Sequence, residues 1–157
     1  MPNPTGFSQH DSGYWRRDSD QSGPYAYDGT NVVSVNAPLP IGATAVSSAS
    51  GNVAAASAVA TLAASATKTT YVSGFVITGA GATAPSVVSA TLAGLLGGTA
   101  TYTIAVPTGA TAGLTPLIVQ FDSPLPGSAV NTAIVLTLPS LGVGNTNASV
   151  HAWGYQL

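Results

Sequence analysis

The sequence predicts an all-β fold, a β-sandwich body over 31–157 behind an extended N-terminal arm over 1–30. Three observations predict it. Apolar and β-branched residues fall in short runs that alternate with a period of two. Glycine and proline, 18 and 11 residues, break those runs at fairly even spacing. Long amphipathic segments with a 3.6-residue period are missing, which argues against an α/β architecture.

The arm contains Pro2, Pro4, Gly6, Gly13, Gly23, Pro24 and Gly29, with Phe7, Tyr14, Trp15, Tyr25 and Tyr27 set among polar residues. No periodicity runs through it. Aromatic residues repay the entropy of ordering such a segment only where they bury area. Two readings stay open. The segment folds back over its own domain, or it lies across a neighbouring subunit. In the second reading Tyr14, Trp15, Tyr25 and Tyr27 are anchors, and Arg16 and Arg17 supply bidentate pairs that fix register.

Beyond the arm, 30–36 reads as a first strand ended by Pro38 and Pro40. The alanine-rich run 52–62 is ambiguous, because alanine favours helix. Ser57, Thr61 and the preceding Gly51-Asn52 tilt it toward strand. Over 70–78, Tyr71, Ser73, Phe75 and Ile77 alternate with Val72, Gly74, Val76 and Thr78. The β-branched run 86–96 is closed by Gly97-Gly98, a hairpin signal. It is answered over 99–106, with Thr99, Thr101 and Thr103 on one side and Tyr102, Ile104 and Val106 on the other. A strand over 115–121 precedes a turn over 122–127. The run 131–138 points Ile134, Leu136 and Leu138 inward, and 147–156 is the last strand. Seven or eight strands of this length make a two-sheet sandwich, expected here as a jelly roll.

Charge is the unusual feature of the composition. Charged residues make up 5% of the chain, against roughly 25% in an ordinary soluble domain. Six of the eight lie in the arm: Asp11, Arg16, Arg17, Asp18, Asp20 and Asp28. The body carries only Lys68 and Asp122. With 45% hydrophobic residues the chain is expected to fold rather than remain disordered. Free monomers keep charge on their surface for solubility, so a body this neutral is expected to be covered by neighbours. The opening residues carry neither a basic nor an apolar targeting segment, and a soluble, cytoplasmically made protein is expected.

The residues available for chemistry are few. Without cysteine, disulfides and thiolate metal sites are excluded. Asp122 is the only carboxylate side chain of the body, so neither a carboxylate pair nor an acidic calcium site can be built within it. His10 beside Asp11 reads as polar surface. A Ser-His-Asp relay would need His151 and Asp122 to converge, and no nucleophile elbow supports one. Arg16-Arg17 is the only basic pair and is flanked by aspartates, which excludes a nucleic-acid footprint. No catalytic residue, metal or cofactor is therefore expected. One stripe stands out, Ser149, His151, Trp153 and Tyr155 on one side of the last strand. His151, Trp153 and Tyr155 are a candidate interface or ligand stripe.

The stretches 62–81, 90–99, 102–107 and 144–155 together resemble the small structural proteins encoded by tailed bacteriophages and prophages. The likeness covers about the last two-thirds of the chain and rests on texture and turn motifs, among them Ala90-Thr-Leu-Ala-Gly-Leu-Leu-Gly-Gly-Thr99 and Gly144-Asn-Thr-Asn-Ala-Ser-Val-His-Ala-Trp-Gly-Tyr155. It implies a virion component, a capsid decoration or cement protein with a jelly-roll body and no transferable catalytic residue. The expected partners are the major capsid protein or another virion protein and two further copies in a homotrimer, with no nucleic acid and no membrane. Two alternatives remain: a tail, collar or fibre-associated component, and a glycan-binding β-sandwich module.

Overall fold

The computed structural model describes residues 7–9, 15–17, 25–27, 32–34, 40, 42–82, 86–109, 112–142 and 144–157. The chain divides into two units, Met1–Ile41 and Gly42–Leu157. Among the described residues the first holds four three-residue strands, β1 (Phe7–Gln9), β2 (Trp15–Arg17), β3 (Tyr25–Tyr27) and β4 (Val32–Ser34). They pair antiparallel as β1·β2 and β3·β4. Three of these short strands, β1, β2 and β3, lie within 1–30, the stretch read as an extended arm. The strand read at 30–36 is present as β4, which pairs with β3.

Among its described residues the second unit holds eight strands: β5 (Thr44–Ala49), β6 (Ala58–Leu62), β7 (Thr70–Ala80), β8 (Ser86–Leu95), β9 (Gly98–Val106), β10 (Leu117–Pro126), β11 (Ile134–Leu138) and β12 (Asn147–Gln156). They form two four-stranded antiparallel sheets, in the orders β10-β7-β12-β5 and β6-β11-β8-β9. The pairing is nested about the β8–β9 hairpin, where Gly98 supplies the positive φ of +91° that the tight turn needs. Outward from that hairpin, β8 pairs with β9, β7 with β10, β6 with β11 and β5 with β12. Two further pairings, β7·β12 and β8·β11, join these ribbons into the two sheets.

Both sheets feed one apolar core, an arrangement consistent with a β-sandwich. Ala58, Ala60, Leu62, Leu92, Ile104, Leu136 and Leu138 come from the second sheet, and Val72, Phe75, Ile77, Val150 and Ala152 from the first. Each fully buried large side chain contributes about 1.5–3 kcal/mol relative to exposure. Phe75 ties the layers together. Its ring meets Tyr102 of the opposite sheet edge-on, with centroids 4.9 Å apart and planes at 69°, and Phe121 at 6.2 Å.

The alanine-rich run is where the chain crosses between sheets. Val53 still bridges Ala148 of the first sheet, 54–56 bend, and β6 then enters the second. Ala55 takes a positive φ of 52° in that bend. Ala58 and Ala60 are fully buried, so tight packing decides the conformation over helix propensity. Short polar links hold the crossing. The Thr61 N–H donates to Ser48 Oγ at 3.0 Å, and the Val150 N–H donates to Ser50 Oγ at 3.0 Å.

Three details differ from the sequence reading. Strand β5 was not expected, because only Val46 of its six residues packs on the core. Strand β10 runs on through Pro124 and Pro126, where a turn was expected. An edge strand tolerates proline because its outer N–H has no ladder partner to lose. In β7 the alternation breaks at a bulge: Gly74 pairs with Trp153 and Val72 with Gly154, leaving Ser73 without a partner on β12. Val72 and Phe75 consequently both face the core, and Tyr71 faces out, on the opposite side from the Phe75 it was grouped with.

Candidate functional site

The registers of β5, β12, β7 and β10 lay out the outer face of the first sheet as rows, because paired residues point to the same side. One row is Ala45–Tyr155–Tyr71–Pro126 and the next is Ser47–Trp153–Gly74–Gln120. A third is Ala49–His151–Val76–Ile118. The structure therefore brings His151, Trp153 and Tyr155 together on one face, as the alternation of the last strand implied. It adds Tyr71, Gly74, Val76, Ile118, Gln120 and Ser47, which sequence reasoning missed. The bulge at Ser73 hid Tyr71. Ser47 and Gln120 gave no signal of their own, because only cross-strand register reveals their position.

The geometry of these rows is specific. Tyr155 stacks on Tyr71 with ring centroids 4.9 Å apart and 14° between planes. That stack buries Tyr155 outside the main core cluster. Burial pushes the Tyr155 phenol above its ordinary pKa, and the neighbouring Tyr71 phenol adds to the rise. The His151 ring lies 5.6 Å from that of Trp153, tilted by 50°. Trp153 itself is half-buried, while Ser47, Gln120 and Ile118 are exposed.

Gly74 is the reason the indole can lie where it does. A methyl group at position 74 would stand 2.6 Å from Cζ2 and 2.9 Å from Cε2 of Trp153, and 2.7 Å from the Val119 carbonyl oxygen. The indole, with Cζ2 and Cε2 nearest, thus occupies the space over β7 that a side chain at position 74 would fill.

The outer face of the second sheet is built differently. Its rows are Val59–Thr137–Thr91–Thr101, Thr61–Val135–Ala93, Ser89–Thr103 and Val87–Ala105. Every member is small or β-branched and none is charged. Val59 and Val87 are 43% and 70% exposed. Beside this face, β9 is an edge strand with neither proline nor charge, whereas the edge strand β10 carries Asp122, Pro124 and Pro126.

The other residues singled out in the sequence are placed as follows. Trp15, Arg16 and Arg17 form β2, Tyr25 and Tyr27 lie in β3, and Tyr14 lies outside the described residues. Lys68, the only lysine of the chain, is occupied in holding the start of β5. Its Nζ donates to the Gly42 carbonyl oxygen and to Thr44 Oγ1, each at 3.0 Å. An apolar hollow of about 430 Å³ lies at the β8–β9 turn, lined by Leu95, Leu96, Ala100, Leu125 and Pro126 among others, and brings no titratable group. Among the described residues no three His, Cys, Asp or Glu side chains gather at one place. No protein-family model, characterised protein or solved structure matches this chain.

Proposed function

We propose that the chain is a structural subunit of a protein assembly and not an enzyme: a virion decoration or cement protein that clamps neighbouring capsid subunits. The observation that carries this reading is the outer face of the second sheet, four strands wide and without a charged residue. Such a face lacks the like-charge repulsion that keeps free monomers apart. Flat rows of threonine and valine pack well against a similar surface. The open edge of β9 strengthens the reading, because natural proteins blunt long edges with charge, proline or bulges unless something pairs with them.

The body is read as a jelly roll. In support, its eight strands nest as one double ribbon about the β8–β9 hairpin and roll into two sheets of four. Three copies in a closed ring would give every subunit the same environment. The partner of the trimer is the major capsid protein or another virion protein, and its location the virion. The N-terminal unit, with Trp15, Arg16, Arg17, Tyr25 and Tyr27 on β2 and β3, supplies the clamp.

Mass spectrometry and electron cryomicroscopy of particles purified from a culture producing the chain test this reading. The expected result is a copy number comparable with that of the capsid protein and density on the capsid exterior. A chain recovered only outside particles contradicts it.

A further inference from the structure

We infer that the outer face of the first sheet is a binding platform for a neutral saccharide, centred on the indole of Trp153. The row Ser47–Trp153–Gly74–Gln120 carries the argument. At position 74 even a methyl group would collide with the indole, so glycine there lets the indole pack down onto the sheet. The indole packs on the sheet at Gly74 and keeps part of its surface open to solvent, leaving Trp153 half-buried. A flat, outward aromatic face is what the C–H side of a pyranose ring stacks on, because its partly positive hydrogens meet the negative face of the π system.

The surroundings select the ligand class. The ends of the row are an exposed hydroxyl, Ser47, and an exposed amide, Gln120, on opposite sides of the indole. His151, with its ring 5.6 Å away and tilted by 50°, forms a low wall with donor or acceptor capacity. A sugar lying on the indole would meet these groups with its equatorial hydroxyls. The three rows across the face carry no carboxylate, lysine or arginine. An anionic glycan finds no cation there and would meet Asp122, exposed on β10 two residues beyond Gln120, so the complementary glycan carries no negative charge. The small side chains of Ala45, Ser47 and Ala49 on the edge strand β5 leave one flank low, so a chain of sugars can leave the platform over it.

The site does not depend on the assembly role, and its test uses the isolated full-length chain. The chain carries two tryptophans, Trp15 and Trp153, so a Trp15→Phe background makes the fluorescence report Trp153 alone. An array of neutral glucans, mannans, galactans and xylans, with sulfated and sialylated glycans beside them, identifies the ligand. Titration with the strongest neutral oligosaccharide then follows the Trp153 emission. The expected result is saturable binding confined to neutral glycans, with a change in Trp153 emission. Trp153→Ala, which leaves no indole emission to follow and is read by isothermal titration calorimetry, should weaken binding about tenfold or more, the scale of one aromatic contact. Gln120→Ala, at an exposed position that leaves the fold intact, should weaken it several-fold. The idea is overturned if no neutral glycan binds, or if Gln120→Ala and Trp153→Ala both bind as the parent does. A face on which Trp153→Ala changes sedimentation while no glycan binds is a protein contact, and that result also overturns it.

Discussion

The two outer faces of the sandwich share a backbone geometry, and Asp122 on β10 is the only carboxylate, lysine or arginine among their strands, yet they offer different chemistry. The face of the first sheet concentrates large oriented groups, with His151, Trp153 and Tyr155 along β12 and Tyr71 beside them. The face of the second repeats threonine, serine, valine and alanine without a dominant side chain. Inward residues alternate in much the same way in both sheets, so the contrast is written in the outward half of each strand. One face suits a single small ligand held by a ring and a few polar groups. The other suits an extended contact in which no one residue dominates.

The strongest way to break the comparison is to remove what both faces rest on. Phe75 is fully buried and touches Tyr102 across the sandwich. Phe75→Ala should cost about 3–5 kcal/mol, read as a lower urea midpoint, and should disturb both faces together. A smaller change separates them. Gly74→Ala pushes a methyl group into the Trp153 ring and should cost about 1–3 kcal/mol, the range for overpacking. It should change the near-ultraviolet circular dichroism of Trp153 while leaving association through the second sheet intact.

A third effect, smaller again, belongs to the first sheet alone. Burial raises the Tyr155 phenol above its ordinary value of 10.0, with Tyr71 adding to the shift. The neutral phenol is therefore the form the fold favours. Its contribution is fully present below about pH 10 and is lost as pH rises through the elevated folded-state pKa. Melting temperatures measured from pH 8 to pH 11 should fall at the alkaline end, and Tyr155→Phe should flatten that fall.

Much of this contrast was legible in the sequence, and the rest was hidden for definite reasons. The alternation Thr99, Thr101, Thr103 against Tyr102, Ile104, Val106 reads directly as one outward and one inward face, and β9 has it so. Ile134, Leu136 and Leu138 face the core of β11 as their spacing requires. The bulge at Ser73 could not be read, because one extra residue reverses the facing of everything before it without changing composition. Strand β5 was invisible because an edge strand with a single core contact needs little hydrophobicity. The stripe on β12 was visible as a pattern. The indole lying over Gly74 was not, since it depends on a pairing between residues far apart in sequence.

If the uncharged face of the second sheet is an assembly surface, sedimentation velocity should register its loss when charge is placed on it. Thr61 and Thr101 are exposed on the two edge strands of that sheet, clear of the core. Thr61→Lys with Thr101→Lys should change stability by no more than about 0.5 kcal/mol per site, as surface substitutions usually do. The parent chain should sediment as a concentration-dependent oligomer resolving to a trimer, and the doubly charged variant as a folded monomer. A parent chain that stays monomeric at the highest soluble concentration, or a charged variant that associates as the parent does, contradicts the account.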